Sequence, residues 1–527
     1  MASTRPTTLA THGMVATPHY LASTAGLRVL EEGGSAMDAV IAANAILTVL
    51  YPDQTAIGGD CFFMVFDAGT GDTVGYNGSG RAAMAADAAA LVAQGYEAMP
   101  PKGGTTVTVP GTIDAWISGH ERFGHLDLAR LLAPAIDLAR DGFPVSPRLA
   151  SVLAARESLI REWPALRAHL SARGSVPAAG SLLAMPQLAS TLQTIASGGR
   201  AAFYDGPIAE AIATSVQDSG GWLSTGDLAS HAGEWVTPIA RDYRGVTVQT
   251  MPPNSQGITA LLGLGMVEGE PPTSIRGSAR QVHPWIEAAK LAYAVRDARI
   301  GDPAFVDIDT AQLLSRESLD DLWRSYDPDR AGPGRPNVAG DTVYICAVDR
   351  DGSAVSLIQS LFGAFGSCVV AGNTGIVLQN RGSSFSLDPG SINLLEPGKR
   401  TLHTLMPSML LRHGALHGSI GTQGGDAQAQ IQMQLIANLV DFGMEPQEAI
   451  EAPRWIADGT DGGRGVTVEQ GFPEGTIAGL ATRGHEMTLV DGWNPNAGHA
   501  QMILIDPQTA VLKGGADPRA DGAALGY

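Results

Sequence analysis

The chain has 527 residues, 44% hydrophobic and 17% charged, enough apolar material for one large layered fold or several ordinary domains and too much for global disorder. Its 53 acidic and 34 basic residues leave a formal charge of −19, which argues against a nucleic-acid partner or an anionic membrane surface. The three cysteines, Cys61, Cys346 and Cys368, form no C-x-x-C pair. They are expected as buried free thiols rather than as a disulfide or a zinc site.

Met1 to His19 is polar and lacks the apolar core of a signal peptide. No run approaches the ~18 apolar residues of a membrane span, so a reducing, cytoplasmic setting is expected. A helix is expected over Ala22 to Glu32, stopped by Gly33-Gly34. Ser35 should cap a second, alanine-rich helix over Ala36 to Leu50. Ile57-Gly58-Gly59-Asp60 reads as a turn into a strand from Cys61, and Asp67 to Thr73 as a hairpin to its partner. Residues 84–300 read as mostly helical, with a long helix from Val282 to Ala298 and an extended loop at Pro252 to Gly257. Asp327 to Gly340 is rich in Pro, Gly, Asp and Arg without hydrophobic period, and reads as a mobile surface segment. Strands follow from Val343 and over Ser353 to Leu361, joined at Asp351-Gly352. Beyond them come an apolar run at Gly375 to Leu378, a loop from Ser386 to Arg400 and a strand near Met409. Gly421 to Gly425 should turn into a helix ending near Phe442. Stacked sheets covered by helices on both sides are the expected architecture.

No G-x-S-x-G, H-E-x-x-H or Walker A pattern occurs. The 12 histidines are scattered, and His120 and His125 have the wrong spacing for one helical face, so no metal is expected. The chemistry rests instead on Gly340-Asp341-Thr342. A cut between Asp341 and Thr342 would place a free α-amine beside a hydroxyl. That amine, with an unperturbed pKa of roughly 8, can act as the base for its own residue's nucleophile. Gly424-Gly425 at a helix start can present successive backbone N–H groups to an oxyanion, although an ordinary glycine loop looks the same in sequence.

Thr342-Val343-Tyr344 through Asp349-Arg350-Asp351-Gly352 resembles the region after the processing site of γ-glutamyltransferases, which are N-terminal-nucleophile hydrolases. The resemblance runs along the whole chain, through Glu32-Gly33-Gly34-Ser35, Ile57-Gly58-Gly59, Val109-Pro110-Gly111, Asp242-Tyr243-Arg244-Gly245, Gly398-Lys399-Arg400 and Asp517-Pro518-Arg519. It implies an α+β fold, a four-layer αββα sandwich with additional helices. It also implies self-cleavage into a large chain, 1–341, and a small catalytic chain, 342–527, which share one αββα unit and could pair again as a heterotetramer. By position Thr342 is the nucleophile, Ser360 its supporting hydroxyl, and Gly424 and Gly425 the oxyanion glycines.

The glutamyl pocket departs from the family. Arg381 stands for a Gln or Glu, Ser384 for the aspartate that takes the α-amino group, and Phe362 for an asparagine. His403-Thr404 replaces paired serines, and Arg81 is displaced from the place of the carboxylate-binding arginine. The resemblance then implies a small anionic amide whose carboxylate rests on Arg381, with Arg81, His403 and Thr404 as helpers. The same arginine could instead hold a structural salt bridge. Family branches with such a pocket are similar to oxamate amidohydrolase and to glutaryl-type cephalosporin acylases. Hydrolysis of oxamate to oxalate and ammonia, without cofactor, is the first expectation and fits purine-nitrogen salvage. A γ-glutamyl hydrolase or transferase is the second, and an uncut homologue with a binding role the third.

Overall fold

A computed structural model describes residues 4–171, 175–271, 273, 275–335, 340–459 and 463–527. Two seven-stranded sheets, antiparallel throughout, form its centre. The first runs Ala523–Gly526, Met14–Thr17, Asp341–Val348, Ala354–Phe362, Asp60–Asp67, Asp72–Asn77 and Glu234–Val236. The second runs Thr8–Ala10, Leu512–Ala516, Ala500–Ile505, Ala415–Thr422, Ser408–Arg412, Val246–Thr250 and Ile239–Tyr243. Both sheets interleave strands from before and after Asp341.

Side-chain alternation along Asp341–Val348 explains the layering. Val343, Ile345 and Ala347 enter a core shared with the helices Tyr20–Glu31 and Ala36–Leu50. Tyr344, Cys346 and Val348 point the other way, against Met409, Ile503 and Leu512 of the second sheet. The outer face of that second sheet is covered by Gly257–Val267, Ala279–Arg299 and Gln428–Val440. The result is the αββα sandwich that the resemblance implies. Within it, Ala36–Leu50 is buried over its whole length. Small alanine side chains let it pack closely among helices and sheet, and Ser35 and Asp38 close a reciprocal capping box at its start.

Residues 84–300 are mostly helical as expected, but Ile239–Tyr243 and Val246–Thr250, not anticipated as strands, form an edge hairpin of the second sheet. Its turn is Arg244-Gly245, both at positive φ (47° and 84°), the geometry of a tight two-residue hairpin. The segment before Thr342 is not loose where it is described. Ala331 N–H donates to Arg483 O (2.7 Å), Gly332 N–H to Glu287 Oε2 (2.8 Å), and Arg335 Nη1 to Asp426 Oδ2 (2.7 Å). Residues 336–339 lie outside the described residues.

Asp517-Pro518-Arg519 proves to be a buried ionic knot. Arg454 Nη2 meets Asp517 Oδ2 at 2.6 Å, and Arg519 joins Asp517 (3.1 Å) to Glu469. Burial opposes the charge of Asp517, yet the two arginines hold its pKa at about 2. Arg519→Ala should therefore leave Glu469 buried without its ion-pair partner and Asp517 with Arg454 alone, and lower stability by roughly 3–5 kcal/mol. A urea midpoint equal to that of the wild type would contradict this role.

Candidate active site

The pairing of Asp341–Val348 with Ala354–Phe362 breaks register at one place, between Asp341 and Thr342. Asp341 lies opposite Phe362 and Thr342 opposite Ser360, so Leu361 is the extra residue of a bulge. Ser360 in turn lies opposite Asp60 of the next strand. Thr342, Ser360 and Asp60 thus stand in a row across three adjacent strands, each 1% exposed or less.

The hydroxyls of this row are directed. Thr342 Oγ1–H donates to Ser360 Oγ (3.2 Å), as does the Phe362 N–H (2.7 Å). Ser360 Oγ–H donates to the carbonyl oxygen of Asp341 (2.6 Å). Ser360 therefore receives the threonine proton and polarises the carbonyl carbon that Thr342 would have to attack. On the other side, Gln54, with its amide oriented to satisfy both groups, donates to Thr342 O (3.1 Å). Asp341 itself is half-buried, and desolvation first, then Asp53, pushes its pKa up to about 7. Its carboxyl lines a cavity of about 440 Å³ shared with Arg148, Gln423 and His499, room for water beside the bond.

Gly424 (φ 144°) and Gly425 (φ 55°) make the turn ahead of Gln428–Val440, entered through one 3₁₀ turn. Their carbonyls are occupied, by Ala427 N–H (2.9 Å) and by Gln256 Nε2 (3.0 Å). Among the described residues neither glycine N–H donates to a protein acceptor. Gly340 lies against this turn. A Cβ at position 340 would stand 2.9 Å from Gly425 Cα, and Gln423 Nε2 donates to Gly340 O (3.1 Å). Gly340 thus packs closely on the Gly424-Gly425 turn.

Arg381 is 1% exposed, at the start of a 3₁₀ turn spanning Arg381–Ser384. Its Nη1 donates to Thr404 Oγ1 (3.2 Å), while its Nε and Nη2 are buried without partners. Burial lowers its pKa to about 10, and the Phe362 ring lies over the guanidinium at 4.1 Å. Among the described residues no salt bridge holds Arg381. Phe362 keeps this position from a left-handed backbone (φ 76°). Ser384 sits at the end of the same turn, where its carbonyl accepts from Asn393 Nδ2 (2.7 Å).

Arg81 is not brought to this pocket. Its guanidinium binds Asp302 (3.2 Å), Glu234 (3.1 Å) and Gly398 O (3.1 Å). His403 does not contact a free carboxylate site either. Leu405 N–H donates to its Nδ1 (3.2 Å), which leaves Nε2–H to donate to Asp60 Oδ2 (3.0 Å). Asp60 is the main surprise. Where the resemblance implies an aspartate lost at Ser384, the structure brings another carboxylate, Asp60 from a neighbouring strand, against His403. Sequence reading took it for a turn residue, and only the register of Ser360 with Asp60 reveals its place. Gln256 was also missed. It joins Thr404 O (2.9 Å), Gly425 O and Arg296 Nη1 (2.6 Å), tying pocket and oxyanion turn together.

One potential metal cluster exists among the described residues. His283, Glu287 and His485 bring three ligand atoms within 4.8 Å. His283 bonds His485 directly (2.8 Å), and the Lys290 ammonium sits 2.9 Å from Glu287 Oε1, in the place of a cation. Lys290 Nζ also donates to Gly332 O (2.9 Å) and His283 bonds Asp327 O (2.9 Å). The cluster anchors the segment before Thr342.

The sequence pattern of the gamma-glutamyltranspeptidase family matches residues 22–527. The chain belongs to the γ-glutamyltranspeptidase family. It is accordingly a hydrolase of the N-terminal-nucleophile class. Among its relatives is a glutathione hydrolase-like YwrD proenzyme of Bacillus subtilis, 42% identical over 98% of this chain and 99% of that protein. The oxamate amidohydrolase proenzyme of Klebsiella pneumoniae is 37% identical over the same shares. A cephalosporin acylase from Bacillus halodurans superposes with a TM-score of 0.94 at 39% identity, covering 100% of this chain and 98% of that one. No helix among the described residues is long and apolar enough to cross a membrane.

In this family setting the oxyanion turn yields a direct test. Gly425→Ala should lower kcat by roughly 10²–10³, because a displaced N–H donor is lost from the transition state more than from the bound substrate. Unchanged kcat in folded protein would remove Gly425 from this role.

Proposed function

We propose that the chain cuts itself between Asp341 and Thr342 and then hydrolyses a small carboxylated amide, with oxamate, giving oxalate and ammonia, as the leading candidate. In the uncut chain Thr342 has no free amine, and the Ser360 relay takes its place. Thr342 Oγ attacks the Asp341 carbonyl carbon, its proton passes to Ser360 Oγ, and the Ser360 proton passes to the carbonyl oxygen. Collapse breaks the C–N bond, the nitrogen gains a proton, and Asp341 becomes an ester of Thr342. Water hydrolyses that ester, leaving 1–341 and 342–527 held together through both sheets.

In the cut enzyme the new α-amine takes the Thr342 hydroxyl proton as the oxygen attacks the substrate amide. The N–H groups of Gly424 and Gly425 hold the developing oxyanion, and the protonated amine gives its proton to the departing nitrogen. Water then releases the acid. The observation that carries the substrate class is Arg381, a buried guanidinium with two N–H groups unpartnered and Thr404 beside it. Such donors are costly to leave without an acceptor, and a carboxylate satisfies two at once. The oxamate amidohydrolase relative supports this reading. The glutathione hydrolase-like relative and the carboxylate of Asp60 favour the second reading, γ-glutamyl hydrolysis. Three buried free cysteines suit a reducing compartment.

Two experiments check the proposal. Purified protein should separate into two chains matching the 341/342 cut, with Thr342→Ala remaining whole and Ser360→Ala cutting slowly. Full activity from an intact single chain would end the self-cleavage reading. Arg381→Gln should raise KM for oxamate tenfold or more, since a hydrogen bond to a charged group is worth roughly 1.5–3 kcal/mol, while KM for neutral amides stays near the wild-type value. Efficient turnover of γ-glutamyl anilides with indifference to oxamate would replace the first reading by the second.

A further inference from the structure

Resting on the proposed carboxylated substrate, we infer that Asp60 is the specificity-determining residue of the pocket, and that a carboxylate entering without an ammonium group is bound together with one proton on Asp60.

The geometry carries this. Asp60 is fully buried and accepts three hydrogen bonds, from Gly80 N–H (3.1 Å) and Gln379 Nε2 (3.2 Å) on Oδ1 and from His403 Nε2–H (3.0 Å) on Oδ2. The direction of each is fixed. Gln379 presents its amide nitrogen, and His403 has its other ring nitrogen occupied by the Leu405 N–H. Three donors aimed at one side chain favour its ionised form, while burial, the larger influence, opposes it. Arg381 is the nearby charge that acts most strongly on it, although among the described residues the two form no direct ion pair.

The groups around Asp60 can be counted by element. From its own strand comes Cys61, a thiol that burial keeps protonated. From the neighbouring strand comes Ser360, which is uncharged. Arg381 and Gln379 come from the turn before Ser384, and Arg400 and His403 from the stretch before Thr404. Burial, then Arg381 and Arg400, keeps His403 neutral. Arg400 is tied to Glu234 (2.7 Å) and Ser79 O (3.1 Å), and Asp426, facing Arg381 from the oxyanion turn, is tied to Arg296 (3.0 Å) and Arg335. One mobile charge balance remains, that between Arg381 and Asp60.

A substrate carboxylate on the free Nε and Nη2 of Arg381 brings a second negative charge into this buried space. Two carboxylates sharing one cation at close range do not both stay ionised. The substrate acid is the stronger and keeps its charge on the guanidinium. Asp60 takes a proton from solvent, and its new O–H, surrounded otherwise by donors, has the incoming carboxylate as its acceptor. Burial already holds the Asp60 pKa near 7, so this proton is exchanged in the working range. An α-amino acid would behave differently. Its ammonium supplies the positive charge directly, and Asp60 stays ionised.

The test is the pH dependence of KM on the cut enzyme, for oxamate and for a γ-glutamyl anilide. With oxamate, wild-type KM should be flat below about pH 7 and rise about tenfold per pH unit above it, the slope of a single linked proton. Asp60→Asn keeps an acceptor for His403 but cannot ionise, and its oxamate KM should be level from pH 6 to 9 and below the wild-type value at pH 9. The anilide should show no such slope with wild type. As a measurement without any variant, calorimetric binding of oxalate at pH 8 in phosphate and in Tris should report uptake of close to one proton. A flat wild-type profile, an unchanged slope in Asp60→Asn, or oxalate binding without proton uptake overturns the inference while leaving the oxamate reading intact. Absence of both oxamate turnover and oxalate binding overturns the function reading, and this inference with it.

Discussion

The site depends on one register break. A strand buried on both faces cannot slip without moving every side chain to the wrong layer, so the pairing around Thr342 is held by the whole sandwich. At the single place where pairing shifts, the peptide bond before Thr342 leaves the regular ladder, and Ser360 reaches the carbonyl that a strict ladder would give to a backbone N–H. The bulge also turns Phe362 into its left-handed conformation, which sets its ring over Arg381. One local irregularity thereby places the Thr342–Ser360 hydroxyl pair and the Phe362 ring over Arg381 together.

The parts of the fold legible in the sequence were those fixed by near neighbours. The Ser35 cap, the helix Ala36–Leu50, the strands flanking Asp351-Gly352 and the glycines at 424 and 425 each carry their own local signal. Residues 239–250 were missed because the surrounding stretch is helical and five-residue edge strands have little pattern of their own. The composition of Asp327 to Gly340 suggested freedom, but the partners of its described part, Glu287, Lys290, Arg483 and Asp426, are distant in sequence. Charge balance in the pocket was legible only in half. Substitutions at 381 and 384 were visible, whereas Asp60 needed the strand register, and the engagement of Arg81 with Asp302 and Glu234 needed the third dimension.

Burial makes the pocket's few charges consequential. Arg381 and Asp60 lie where desolvation opposes both, so each depends on what its neighbours offer and neither is indifferent to a ligand's charge. Gln256 gives this chemistry its rigidity. By bonding the carbonyls of Thr404 and Gly425 at once, it fixes the stretch beside Arg381 relative to the Gly424-Gly425 turn.

The segments at 5–13 and 522–527 are stitched together. Arg5 donates to Gly522 O and Ala516 O (both 2.9 Å), Thr8 Oγ1 to Ala524 O (3.0 Å), and Tyr527 N–H to Gly13 O (3.1 Å). The order of the chain is thus almost immaterial to the sandwich. A circular permutant that begins at Thr342 behind a removable initiator, and runs from Tyr527 through a short linker into Thr4, would build the same two sheets. Such a molecule would be born with its amine already free, and would separate the ability to cut a chain from the ability to hydrolyse a substrate.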